Sequence, residues 1–95
     1  MPKGYWIAHV TVTDASVYPD YIATAKPAFE KYGARFLARG GAFECVEGKS
    51  GERHVVIEFD SMEKALACYR SEQYQKAKKI REKASSGTIT IIEGA

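Results

Sequence analysis

RHVVIEF, residues Arg53–Phe59, decides how this chain folds: it is dense in β-branched and aromatic residues and holds no glycine or proline, which predicts a strand. The segment before it, EGKSGE (Glu47–Glu52), is polar and glycine-bearing, and the one before that, ARFLAR (Ala34–Arg39), reads as another strand. Together they predict a hairpin. By the period of two, Phe36 and Ala38 share the face of Val55, Ile57 and Phe59, while Arg35, Leu37 and Arg39 share the face of His54, Val56 and Glu58. Gly40-Gly41 follows at once. Paired glycines in a strand pattern mark a bulge, a bend or a close approach to the backbone.

Working outward, YWIAHVTVT (Tyr5–Thr13) is a further strand whose even positions Trp6, Ala8, Val10 and Val12 are all apolar. Asp14 and Ser16 offer side-chain caps and Pro19 suits a first helical turn. Tyr18, Tyr21, Ile22, Ala25, Phe29 and Tyr32 then recur at helical spacing up to Gly33, a residue fit for a left-handed cap, with Pro27 expected to kink the helix. After the RHVVIEF strand, Ser61 caps a helix over SMEKALACYRS (Ser61–Ser71). Another helix runs from Glu72 to about Lys83 with Tyr74, Ala77 and Ile80 or Arg81 inward, Ser85-Ser86-Gly87 ends it, and TITIIE (Thr88–Glu93) is the last strand.

The order β-α-β-β-α-β predicts a single α+β domain over residues 1–95: a ferredoxin-like, four-stranded antiparallel sheet in the order 4-1-3-2 with its helices on one face. Two helices leave the other face bare, and that face carries Ile7, Leu37, Val56 and some of Ile89, Ile91 and Ile92. So large an apolar surface predicts a homodimer formed through the sheet. A chain of 95 residues that is 45% hydrophobic and 27% charged falls in the folded globular class. A net charge of +2 is too weak to demand nucleic acid or an anionic membrane. No apolar run approaches membrane-spanning length, and with Cys45 and Cys68 in no recognised spacing the expected location is the cytoplasm.

The strings GYWIAHV, KYGARFLARGG, VVIEF, ACYRSEQYQKAK and the closing IIEG, in that order and spacing, resemble the bacterial family catalogued as domain of unknown function 1330. The resemblance covers essentially the whole chain. It implies a ferredoxin-like protomer that pairs sheet to sheet as the dimeric α/β barrels do, a group that includes cofactor-free monooxygenases, haem-degrading enzymes and small isomerases. It further implies a ligand site between a protomer's sheet and its helices. No catalytic residue is carried over, since the family has no motif with an assigned role.

Two sets of residues are candidates for chemistry. On the bare sheet face, His9, Arg39 and Glu58 fall within one or two strand spacings, a base, a cation and a carboxylate. Arg39 would hold a carboxylate or enolate oxygen while His9 or Glu58 moves a proton, as a cofactor-independent monooxygenase or isomerase acting on a small organic acid or aromatic substrate requires. The competing reading is a structural Arg39–Glu58 ion pair with His9 merely hydrogen-bonded. Beneath the helices, Tyr69, Tyr74 and Arg81 would line a cavity for a small organic molecule, or simply pack. No cofactor is expected. A metal site is not expected either, because the chain's two histidines stand in no HxH or HxxxH spacing. RNA binding by strands one and three is disfavoured: the stacking positions hold His54 and Val56, Glu58 adds negative charge, and KAKKIREK (Lys76–Lys83) reads as a solvated helix face.

Overall fold

The computed structural model describes residues 2–95. The elements are β1 (Gly4–Val12), α1 (Tyr18–Lys31), β2 (Arg35–Arg39), β3 (Arg53–Phe59), α2 (Met62–Arg70), α3 (Glu72–Ala84) and β4 (Ser85–Glu93). The strands form one four-stranded sheet in the order β2-β3-β1-β4, every neighbouring pair antiparallel. This is the ferredoxin-like arrangement, with the second crossover split into two helices at Ser71, whose hydroxyl accepts from Tyr74 N–H. Ser61 caps α2 by accepting from Lys64 N–H, as its position before the apolar repeat predicts. Gly33, after α1, takes φ +71°, where a side chain would be strained.

The helices cover the face of β1 that carries Trp6, Ala8 and Val10 and the face of β3 that carries Val55, Ile57 and Phe59, all six buried. Trp6 is the hub. Its ring contacts Phe29, Phe59, Tyr69 and Tyr74 at centroid distances of 4.9–5.8 Å, and its Nε1–H donates to the carbonyl of Ala65 at 2.9 Å. One indole thus ties all three helices to the central strand, with its polar atom satisfied.

Two local expectations need correction, at the start of α1 and at the start of β4. Asp14 accepts from Ser16 in the turn ahead of α1, so the side chains bind each other and the helix starts behind Val17 without a side-chain cap. Pro27, where a kink is expected, lies inside α1, which runs on as helix to Lys31. β4 begins at Ser85, directly after α3, because Thr13 and Asp14 N–H both donate to the carbonyl of Ala84 and Ser85–Gly87 pair with Val12–Val10. The β1 ladder thus recruits residues that read as a helix terminator.

The largest correction concerns β2. Phe36 pairs with Ile57, but the ladder then slips: Ala38 pairs with Val56 and Arg39 with Val55. A one-residue slip inverts the facing of everything beyond it. Ala38 therefore leaves the core face, and Arg39 crosses to the helix side. Ile89 and Ile91 also face the helices, opposite Ala8 and Trp6, while Ile92 stands on the bare face opposite Tyr5.

Candidate functional site

The bare face does not assemble the expected triad. His9 lies opposite His54, and their Nδ1 atoms are 2.8 Å apart, one ring donating and the other accepting. Glu58 lies opposite Tyr5, four residues from His9's register and roughly 13 Å along the strand. Its partner is Arg35, whose Nε donates to it at 2.7 Å, with a weaker contact from the Tyr5 hydroxyl at 3.4 Å. Arg35 also reaches Asp60 at 3.0 Å, and Lys64 and Lys3 approach Asp60 at 3.5 and 3.8 Å. The hydrogen bonds from Arg35 hold the carboxyls of Glu58 and Asp60 below the ordinary range. The expected Arg39–Glu58 pair is thus an Arg35–Glu58 pair, and Glu58 is a neutralised carboxylate rather than a free base.

A cleft opens instead between the sheet and the helices. Its body is aromatic and aliphatic, formed by Trp6, Tyr18, Tyr21, Phe29, Phe36 and Ile57 among others, and its polar lining includes Arg39, Arg53 and Arg81. The cavity measures about 40 Å³, room for about three waters. An adjoining groove of about 440 Å³ shares Ile22, Phe29, Phe36 and Arg39 with it and adds Lys26 and Glu30, a pair 3.9 Å apart.

Each arginine has its own support. The bulge turns Arg39 inward, and its guanidinium lies 4.1 Å from the centre of the Phe36 ring. Arg53 opens β3 on the parity of Val55 and Ile57, with its guanidinium 5.6 Å from the Tyr18 ring centre. Gly40, at φ +68°, makes room for it, since a Cβ there would collide with Nη1 of Arg53. Arg81 comes from the last turn of α3 and lowers the cost of ionising Tyr21 and Tyr74 by its charge. Among the described residues none of the three forms an ion pair, and the Nε atoms of Arg53 and Arg81 are buried without a protein partner.

Tyr74 is fully buried, and its hydroxyl shares a 3.0 Å hydrogen bond with that of Tyr21. Burial pushes both hydroxyls above the usual phenol range, so they stay neutral. Tyr69 packs on Trp6 and Tyr74. Neither Tyr69 nor Tyr74 is among the residues lining the cleft; they back its wall. Of the expected site residues, only Arg39 and Arg81 meet there. Arg53, Phe29 and Phe36 join them without any sequence expectation of a site role, as do Tyr18 and Tyr21, whose helical spacing favours plain core packing. Arg53 carried a legible signal, a charged residue on the parity of an otherwise apolar strand face.

The cleft contains no histidine, carboxylate or thiol in its lining. Cys68 is buried below α1, where desolvation pushes its thiol up to about 12, and Cys45 is exposed. Among the described residues no group of three metal-ligating side chains converges, and no helix is long and apolar enough to cross a membrane.

Residues 3–95 match the model of the domain of unknown function family DUF1330. The chain belongs to this family. The DUF1330 chain is similar in fold to RPA0582, a protein of unknown function from Rhodopseudomonas palustris, with a TM-score of 0.78 at 16% identity over 99% of this chain and 83% of that one. It is similar too to SnoaB, a cofactor-independent oxygenase from Streptomyces nogalater, with a TM-score of 0.65 at 8% identity over 100% and 95% of the two chains. A dimeric ferredoxin-like protein of unknown function from Thermobifida fusca aligns with a TM-score of 0.53 at 18% identity over 99% and 91%. These identities establish a shared fold and nothing finer. Comparison with curated protein sequences finds no match.

Proposed function

We propose that this DUF1330 chain is a cytoplasmic homodimer, paired through its bare sheet face, and that each protomer binds a small organic molecule in the cleft between sheet and helices. The observation that carries the ligand reading is the cleft itself: an apolar cavity beneath the helices that shares its wall with a groove of about 440 Å³ and has a few polar groups in its lining, the usual make-up of a small-molecule site. The dimer is supported by Ile7, Val56 and Ile92 on one uncovered face, with Leu37 57% and Ile92 52% exposed. The likeness to a protein described as dimeric supports it as well. Two unpaired cysteines, one exposed, suit a reducing compartment.

Binding is the reading favoured over proton-transfer catalysis. His9 and Glu58, the expected bases, lie on the bare face and are engaged by His54 and Arg35. An enzyme working in the cleft would draw its base from the substrate or the partner copy, since the lining supplies none. Trp6, the chain's one tryptophan, lines the cleft and reports on it. Saturable change of its fluorescence with phenylacetamide or phenylacetate is the expected result, and silence with both overturns the ligand reading. Light scattering at micromolar protein is expected to give twice 10.5 kDa; a 10.5 kDa species alone overturns the dimer.

A further inference from the structure

The cleft's charges are all of one sign. Arg39, Arg53 and Arg81 line it with no carboxylate among the lining residues, and the acid that lines the adjoining groove, Glu30, has Lys26 as partner. A guanidinium cannot shed its charge in a protein, so the partial burial of Arg53 and Arg81 has to be offset by a partner, whereas Arg39 is exposed. Here ring faces hold two of the three: Phe36 under Arg39 and Tyr18 under Arg53. Stacking fixes the plane of a guanidinium and leaves its N–H edge free. The buried Nε of Arg53 and that of Arg81 have no protein acceptor, a cost that native structures carry where a ligand removes it.

We propose that the ligand is a small aromatic carboxylate, its ring in the aromatic body of the cleft and its acid group on Arg53 and Arg81, with Arg39 beside Phe36 at the groove. The class rests on the reading of the cleft as a ligand site and narrows it by three observations. The planar arginine fork matches the two oxygens of a carboxylate. The cavity of about 40 Å³ beside the arginines is too small for a ring alone, and the groove of about 440 Å³ that shares Phe29, Phe36 and Arg39 with it supplies the remaining room. The walls that would meet this ring, Trp6, Phe29 and Phe36, already stack edge to face among themselves, and offer the ring the same geometry.

The test compares phenylacetate with phenylacetamide, which has the same ring and a neutral head, by Trp6 fluorescence, with inorganic phosphate as a third probe. Phenylacetate is expected to bind at least tenfold more tightly than the amide. Arg53→Gln and Arg81→Gln are each expected to bring that ratio toward one, Arg81→Lys to preserve part of it, and Arg35→Gln, on the bare face, to leave it as in the unaltered chain. Equal binding of acid and amide overturns the carboxylate class while the cleft reading stands. Binding of phosphate as tight as that of phenylacetate also overturns it, in favour of a bare anion site. If neither ring compound binds, the cleft reading itself fails and this inference falls with it. Should one glutamine variant not fold, the other carries the comparison.

Discussion

The two faces of the sheet handle charge in opposite ways. On the bare face Arg35 meets Glu58 at 2.7 Å and Asp60 at 3.0 Å, and His9 meets His54 at 2.8 Å, so each charge is answered by a neighbour and, among the described residues, only Nε2 of His54 is buried without one. On the helix face three arginines stand without an acid, two of them with buried Nε atoms that no protein group accepts. Water can rescue an exposed charge, so the paired network on the bare face contributes little to stability, whereas an unpaired charge in an apolar cleft is a standing cost. The face whose charges are paired is fit for packing; the face whose charges stand without acids is fit for a ligand.

The comparison is broken most severely at the hub of the covered face. Trp6→Ala removes the ring that joins Phe29, Phe59, Tyr69 and Tyr74 and is expected to cost about 3–5 kcal/mol, read as a fall in the denaturation midpoint by circular dichroism. A charge at the centre of the bare face tests whether that face is covered in solution. Val56→Asp, opposite Ile7, is expected to split the dimer, giving a 10.5 kDa species in light scattering with the secondary structure retained. Unchanged dimer mass would place the interface elsewhere.

A smaller effect is expected inside the cleft's back wall. Tyr21→Phe leaves the Tyr74 hydroxyl buried without its 3.0 Å partner and is expected to cost about 1–3 kcal/mol in denaturant titration. The smallest effects separate the faces by pH. The carboxyls of Glu58 and Asp60 are held below the ordinary range by Arg35, so the stability they contribute is full above the ordinary carboxylate range of about 4 and is lost as pH falls through their folded values. Arg35→Gln is expected to flatten that acid limb of the melting temperature. Arg53→Gln, which breaks no ion pair, is expected to leave the limb intact and the melt at neutral pH level or slightly raised. A drop of several degrees for Arg53→Gln would mean that it is a structural cation.

Much of the fold was legible because it follows from repeats of two and of three to four residues. RHVVIEF, the Tyr18–Tyr32 stripe and the Ser61 cap led to the right elements in the right order, and the sheet order followed from packing both crossovers on one side. The site was less legible. Arg81 was reachable from helical spacing after Tyr74 and Ala77, and Arg53 from strand parity, although only the former was taken up. His9 and Glu58 were correctly placed on one face, yet facing says nothing about position along a strand, and they lie at opposite ends of the β1–β3 ladder.

By itself the sequence determined the elements, the sheet topology and which face of the long strands is dry, because local periodicity and the burial of apolar residues specify these. Only the tertiary structure decided where Arg39 points. The pattern ARFLAR sets three apolar residues, Phe36 to Ala38, between two arginines, and nothing in it fixes a slip between Phe36 and Ala38; the slip exists only in the pairing of β2 against β3. That one extra residue moves a guanidinium from the face where Glu58 already has a partner to the cleft where Arg53 and Arg81 have none. A cluster of like charges of this kind depends on three separate elements meeting, and the energy that tolerates it is a property of their joint burial, which no single stretch of chain contains.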